Sequence, residues 1–204
     1  MKVGIITKNP GKRKIVQNVF PKYGIEFEFI DKEFPEIQAA TSQEIAEFTV
    51  KQAAKELNIP VVKEDASLFL RALNFPGPFT AYLEKMIPAQ KLLKILEPFE
   101  DRSGYFECAV SFCEPDKCPI TFVEKFEIEI NDKEAGELAP PKAWDRILKF
   151  KGETRTFAQY PFEERIHIWA KPYEKLAKTM KPPRPCLPAD KVGKGRVSSS
   201  SERK

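Results

Sequence analysis

A polar turn near the N-terminus carries side chains that suit phosphate binding. Thr7, Asn9 and Lys12 follow an apolar run at residues 2–6, and apolar side chains then recur at helical spacing. A turn between a strand and a helix N-terminus exposes backbone N–H groups and the positive end of the helix dipole, which attract anions. In an alternative interpretation, Asn9 only caps the helix and Lys12 is a surface charge. The motif alone leaves both interpretations open.

Carboxylates at the ends of two further apolar segments suit a divalent cation. Glu36 follows the alternating segment 26–30, and Glu64 and Asp65 follow the short apolar run 60–62. In an open α/β sheet, ligands bind beyond the carboxyl ends of the strands. Carboxylates gathered there, beside a phosphate-binding turn, would hold the Mg²⁺ that accompanies a polyphosphate. Each acid taken singly could equally be a solvated surface charge.

The elements that must position these residues alternate between strand and helix patterns. Beyond the first strand and helix, we expect a strand at 26–30, a helix from Thr41 or Ser42 to about Asn58, a short strand at 60–62, helices at 79–86 and 89–96, an antiparallel strand pair at 104–113 and 120–130, a short helix near Trp144 and a closing helix through Trp169. This order predicts an α/β fold with a central mixed sheet flanked by helices.

Length and charge limit the class of protein. The chain has 204 residues and a formal net charge of +4, enough for one α/β domain with a proper core. Residues 181–204 hold seven Lys/Arg and two Asp/Glu, so the rest has 27 basic and 28 acidic side chains. A nucleic-acid-binding domain gathers positive charge on its folded surface, so we expect no nucleic-acid partner. We expect a folded domain at 1–180 and a disordered, basic, Pro/Ser-rich tail at 181–204.

Targeting signals and cysteines bear on the compartment. The N-terminal apolar run is too short for a signal peptide, and no stretch has the length of a membrane span. We therefore expect a cytoplasmic protein with no membrane partner.

The spacing of Cys108, Cys113, Cys118 and Cys186 lacks the close pairs typical of zinc sites. We expect reduced, structural cysteines.

In order and spacing, these motifs resemble the inosine triphosphate pyrophosphatase family, which hydrolyses non-standard purine nucleoside triphosphates to monophosphate and pyrophosphate. The resemblance runs from Lys2 to about Tyr173 and is closest in the N-terminal half. It rests on Thr7-x-Asn9-x-x-Lys12, Phe34-Pro35-Glu36-Ile37-Gln38, Glu47 to Lys51, Glu64-Asp65 and Ala72-Leu73-Asn74-Phe75-Pro76-Gly77-Pro78. Five motifs in family order are far more specific than any one of them.

The resemblance implies an elongated, two-lobed domain with a nucleotide cleft between the lobes, and a homodimer. It implies that Asp65 binds metal or acts as general base for the attacking water. Ala66-Ser67 departs from the family's Ser or Thr at the position after this Asp, so a supporting hydroxyl is displaced or lost. The implied ligands are Thr7, Asn9, Lys12 and Lys51 for the triphosphate, and Glu36 with Asp65 for Mg²⁺.

The base pocket departs further from the family pattern. The family's Phe-Gly-aromatic-Asp segment reads Lys142-Ala143-Trp144-Asp145, its Lys-Thr-Phe-Ala-Glu-Met segment reads Arg155-Thr156-Phe157-Ala158-Gln159-Tyr160, and its Ser-His-Arg signature reads Ile166-His167-Ile168. Each lost charge-assisted hydrogen bond is worth about 1.5–3 kcal/mol, so we expect weak or no preference for inosine or xanthosine triphosphate. His167 could equally be a core histidine. The base-pocket candidates are Trp144, Asp145, Arg155 and His167.

Two functions agree with these residues. The first is Mg²⁺-dependent hydrolysis of nucleoside triphosphates to monophosphate and pyrophosphate, with altered base specificity. The second is a paralogue that binds nucleotides without turnover, because the base pocket and the hydroxyl after Asp65 have changed. A third reading, nucleic-acid association through the basic tail, has only the charge of 181–204 in its favour.

Overall fold

The computed structural model describes residues 2–180, and the predicted tail lies outside the described residues. The strands are β1 (Lys2–Ile6), β2 (Glu26–Ile30), β3 (Val61–Leu70), β4 (Phe75–Gly77), β5 (Ser103–Cys113), β6 (Ile120–Ile130) and β7 (Leu148–Phe150). The α-helices are α1 (Pro10–Val19), α2 (Ser42–Leu57), α3 (Thr80–Met86), α4 (Ala89–Leu96), α5 (Phe162–Trp169) and α6 (Lys171–Met180). Short 3₁₀ segments lie at Phe20–Tyr23, Trp144–Arg146 and Phe157–Gln159.

The strands form one mixed sheet in the order β2-β1-β3-β5-β6-β7, with β4 paired to β3. Strand β1 is parallel to β2 and β3, and the remaining pairs are antiparallel. The predicted α/β fold with a central mixed sheet is confirmed. The strand predicted at 60–62 is longer than expected, because β3 continues past the acidic pair to Leu70 and pairs with β5 along its whole length. Strands β4 and β7 were not predicted, and the predicted closing helix is two helices, α5 and α6.

The first two helices begin at side-chain caps that the sequence encodes. Asn9 accepts a hydrogen bond from the backbone N–H of Lys12 at 3.2 Å, and Pro10 occupies the first helical position. Thr41 and Glu44 form a reciprocal capping box before α2. These caps fix the start of each helix beside the strand ends.

Within residues 2–180, no helix has both the length and the hydropathy needed to cross a bilayer.

Two apolar clusters on opposite sides of the sheet hold the N-terminal half together. Val50, Ala53 and Ala54 of α2 pack against Val61. On the other side, α1 and α6 pack against Val62. A third cluster under α4 and the C-terminal segments contains Trp144 and Phe157. The three cysteines within the described chain are free thiols, as expected.

Candidate active site

The side chains of successive residues in β3 point to opposite faces of the sheet, because side chains alternate along a strand. Val61 lies in the α2 cluster and Val62 in the cluster of α1 and α6. Glu64 accordingly meets Lys12 of α1. Asp65 instead faces Ser42, the first residue of α2. The acidic pair, which the sequence presents as one unit, therefore belongs to two different environments.

A polar cavity of about 370 Å³ lies at the carboxyl end of β1, beside the segment that carries Glu36. The buried ring of Phe34 anchors this segment, and the Thr49 hydroxyl donates to the Pro35 carbonyl at 3.3 Å. Glu36 forms an ion pair of 2.7 Å with Lys63. Each of the three lysines at this cavity is paired with a glutamate, so a polyphosphate anion would compete with those carboxylates for the lysines. Its polar lining residues are Thr7, Lys8, Lys32, Glu33, Glu36, Thr49 and Lys63.

Asp65 has a buried oxygen, Oδ2, with no hydrogen-bond partner within the described chain. Burial raises the pKa of this carboxyl group; the charge of Lys12 opposes the rise, and the carboxylates of Glu64 and Glu36 add to it. A buried carboxylate oxygen without a partner is costly unless a ligand satisfies it. Asp65 does not line the polar cavity, but a metal ion or water that reached this oxygen would satisfy it.

The donor set near Asp65 fits Mg²⁺. Within residues 2–180, no group of three or more His, Cys, Asp or Glu side chains is arranged to hold a metal ion. Mg²⁺ usually binds through one or two carboxylates, with water and substrate phosphates completing its octahedron. The carboxylate of Glu36 contributes to the raised pKa of Asp65, and both residues supply the hard oxygen ligands that this ion requires.

A second cavity, of about 310 Å³, lies on the opposite face of β3; we call it the aromatic cavity because five of its lining side chains are aromatic. Lys12 lines it and forms an ion pair of 2.8 Å with Glu64. Burial lowers the pKa of Lys12, but the carboxylates of Glu64 and Asp65 outweigh this effect and leave the pKa raised. The hydroxyl of Tyr173 donates to the same Glu64 carboxylate at 3.3 Å. The other lining residues include Asn9, Phe106, Asp145, Phe157, Phe162, Arg165 and Trp169.

Arg165 is the functional candidate that the sequence motifs missed. Its guanidinium is buried, with its carbon 4.7 Å from the ring centre of Phe157 and 5.6 Å from that of Phe162. It forms an ion pair of 3.5 Å with Asp145, and its Nε has no partner within the described chain. The recurrence of Phe162, Arg165 and Trp169 at helical spacing was the available signal. The aromatic cavity therefore keeps a guanidinium, supplied by α5 at a position outside the family signature.

Three of the four base-pocket candidates lie outside the aromatic cavity. Trp144 is 1% exposed and its Nε1 donates to the Ile87 carbonyl at 2.7 Å, so it is a core residue. Arg155 is on the surface, where it lies over the Tyr160 ring and pairs with a glutamate of α5. His167 is exposed because the inner face of α5 is occupied by Arg165 and its helical neighbours. Only Asp145 lines the cavity.

The residues predicted to bind phosphate do not all lie at the same cavity. Thr7 lines the polar cavity, whereas Asn9 and Lys12 line the aromatic cavity, so the turn between them borders both. Lys51 is exposed on α2 and lines neither cavity. Lys63, which the motifs did not single out, lies in the polar cavity in its place. The turn and the carboxylate of Glu36 are therefore brought together at this cavity, and the phosphate-binding role of Lys51 stays a prediction.

Comparison with known proteins agrees with this geometry. The chain matches the model of the Ham1 family over residues 3–178. It is 38% identical over 169 residues to the dITP/XTP pyrophosphatase of Methanopyrus kandleri, covering 82% of this chain and 89% of that protein. It is also 38% identical to the dITP/XTP pyrophosphatase of Methanothermobacter marburgensis, covering 78% of this chain and 84% of that protein.

A solved structure shares the fold. The Ham1 protein of Staphylococcus aureus superposes with a TM-score of 0.73 at 26% identity, covering 88% of this chain and 98% of that one. The sequence match and the shared fold confirm the resemblance inferred from the motifs. This chain belongs to the Ham1 family.

Proposed function

We propose that this protein hydrolyses nucleoside triphosphates to monophosphate and pyrophosphate with Mg²⁺. The observation that carries the proposal is the buried, unpartnered Oδ2 of Asp65 beside a turn that borders a polar and an aromatic cavity. One cavity suits a triphosphate and the other suits a base. The activity printed for the relatives from Methanopyrus kandleri and Methanothermobacter marburgensis supports the same reaction class.

In this proposal the turn at 7–12 binds phosphate through its backbone and side chains. The Thr7 hydroxyl accepts from the Asn9 N–H at 3.1 Å, and its own hydrogen remains free to donate to phosphate. The Asn9 oxygen caps α1, so its amide NH₂ is the part that can face a ligand. The N-terminus of α1 adds the favourable end of a helix dipole.

Asp65 and Glu36 would hold the metal ion. A bound Mg²⁺ would neutralise the charge of the phosphate oxygens and polarise the reacting phosphoryl group. Asp65 would bind this metal ion or, as general base, accept a proton from the attacking water; burial raises the pKa of its carboxyl group in the metal-free protein, which suits the second role. Lysines of the polar cavity would stabilise the charge on the departing pyrophosphate.

Base specificity is the part of the proposal that differs from the family pattern. Arg165 can donate hydrogen bonds and Asp145 can accept them, at one wall of the aromatic cavity. Phe157 and Phe162 offer apolar surface for a base. We infer an altered base preference, because the guanidinium comes from Arg165, which lies outside the family's signature, although Asp145 and Phe157 match family positions. The homodimer and the cytoplasmic location, both expected from the sequence, remain proposals that sedimentation and fractionation would test.

Pyrophosphate release with Mg²⁺, measured across standard and modified nucleoside triphosphates, tests the function. We expect turnover by the wild-type protein and a loss of at least about 100-fold in Asp65→Asn. Asp132→Asn is the matched control, since it makes the same change on an exposed loop and should leave the rate unchanged. Tight binding of nucleotides to the folded wild-type protein with no pyrophosphate release would favour the non-hydrolysing paralogue instead.

A further inference from the structure

Lys63 is a poorly exposed cation whose role the known motifs do not explain. Its side chain is 14% exposed, which is less than the 23% of Lys12. It lies two residues before Asp65 in β3, so both side chains belong to the same face of the sheet. The Nζ of Lys63 lies 2.7 Å from Oε1 of Glu36.

This ion pair occupies the carboxylate that the proposed function assigns to the metal. An ammonium 2.7 Å from a carboxylate oxygen neutralises its charge and takes one of its lone pairs. A divalent cation entering at the same oxygen must displace the ammonium, since the two positive charges would repel each other at that distance. The metal and Lys63 therefore compete for Glu36.

A displaced Lys63 stays within the polar cavity. Its backbone is held in the sheet, paired with Ile6 on one side and Ser111 on the other. The side chain shares the cavity with Thr7 and Lys8, which border the proposed phosphate site. Its charge is then free to meet a triphosphate oxygen.

We propose that Lys63 is a positioning residue that holds Glu36 oriented in the metal-free protein, yields it to the divalent cation and then binds the triphosphate. This inference rests on the proposed metal role of Glu36. If Lys63 were only a structural partner of Glu36, its removal would not affect metal binding and nucleotide binding in opposite directions. In the role proposed here, removal of the Lys63 side chain should strengthen metal binding and weaken nucleotide binding.

Calorimetric titration with Mn²⁺ alone tests the first half. We expect Lys63→Gln to bind Mn²⁺ about threefold to fivefold more tightly than wild type, the range set by one partly exposed ion pair. Lys63→Arg keeps the pair and should stay near wild type. Lys32→Gln is the matched control, because Lys32 lines the same cavity but pairs with Glu56; we expect a change below about twofold.

Titration with a non-hydrolysable α,β-methylene triphosphate, at saturating Mg²⁺, tests the second half. We expect Lys63→Gln to bind this analogue about fivefold to tenfold more weakly than wild type. Weaker or unchanged Mn²⁺ binding in Lys63→Gln, or unchanged analogue binding, would overturn the inference while leaving the hydrolytic function standing. Failure of every variant and of wild type to bind Mn²⁺ would overturn the metal site itself, and this inference with it.

Discussion

The ammonium of Lys12 lies 2.8 Å from Oε2 of Glu64, which joins the phosphate-binding turn to the central strand. Lys12 also donates to the Glu64 backbone carbonyl at 3.1 Å. The carboxylate is 7% exposed and its other neighbour is the Tyr173 hydroxyl. Without Lys12, this carboxylate would be buried with only one neutral hydrogen-bond donor.

Removing Lys12 should therefore destabilise the protein. We expect Lys12→Met to lower the free energy of unfolding by about 3 kcal/mol, because it leaves a buried charge unpaired, and Lys12→Met/Glu64→Gln to recover most of this loss. Urea unfolding followed by circular dichroism measures both. Lys2→Met breaks the exposed pair with Glu28 and should cost less than about 1 kcal/mol. Equal losses in the two lysine variants would contradict the prediction.

The acid limb of the pH profile of Mn²⁺ binding should report Asp65. Burial raises the pKa of its carboxyl group in the metal-free protein, so the affinity for Mn²⁺, which must displace that proton, should fall on acidification at a pH above the usual Asp range of about 4. The charge of Lys12 lowers the same pKa, so Lys12→Met should move this limb to higher pH. The profile of Lys2→Met should coincide with wild type. A limb that moves to lower pH in Lys12→Met would exclude Asp65 as the titrating group.

Trp144 should matter for stability and not for substrate affinity. Trp144→Phe leaves the Ile87 carbonyl without its donor and removes buried ring volume, so we expect a loss of about 2–3 kcal/mol in unfolding free energy. The KM for the preferred nucleotide should change by less than about twofold. Thermal unfolding and steady-state kinetics at a temperature where the variant is folded check both. A large rise in KM would contradict this prediction and would indicate that Trp144 contacts the base.

Arg165 should control nucleotide affinity through its planar guanidinium. Arg165→Lys keeps the charge but loses the fit against Phe157 and Phe162; we expect KM for the preferred nucleotide to rise about tenfold with a smaller change in kcat. Arg155→Lys is a matched control on the exposed side of the Tyr160 ring. Equal effects of the two variants on KM across the nucleotide panel would show that Arg165 does not read the base.

The elements that the sequence predicted correctly are marked by signals within a few neighbouring residues. The turn at 7–12 combines a strand end, a cap and a proline within a few positions, and such signals need no knowledge of the rest of the chain. Glu36, singled out by its place after a strand segment, lines the polar cavity, and its role as a metal ligand stays a prediction. The length of β3 was missed for the opposite reason. Its continuation depends on β5, a strand distant in sequence, which pairs with β3 from Val61 to Leu70.

The residues that line the base pocket could not be predicted from short sequence motifs alone. Trp144 and His167 matched family positions by residue type, but residue type does not reveal which side of an element faces a cavity. The contacts of α5 and the 3₁₀ segment at Trp144–Arg146 decide that. The orientation of α5 brings Arg165 inward and leaves His167 outside. This choice depends on packing against the rings of Phe157 and Trp169.

The alternation of Glu64 and Asp65 on β3 has a consequence for how such an enzyme can diversify. In the proposed function, base selectivity and hydrolysis use opposite sides of one strand, so each side could change under separate selection while the other stays constant. The shared strand itself has no such freedom. A one-residue insertion before Glu64 would exchange the two carboxylates between faces, placing each acid in the wrong half of the site. Lineages can therefore replace the residues around this strand, but they must keep its register.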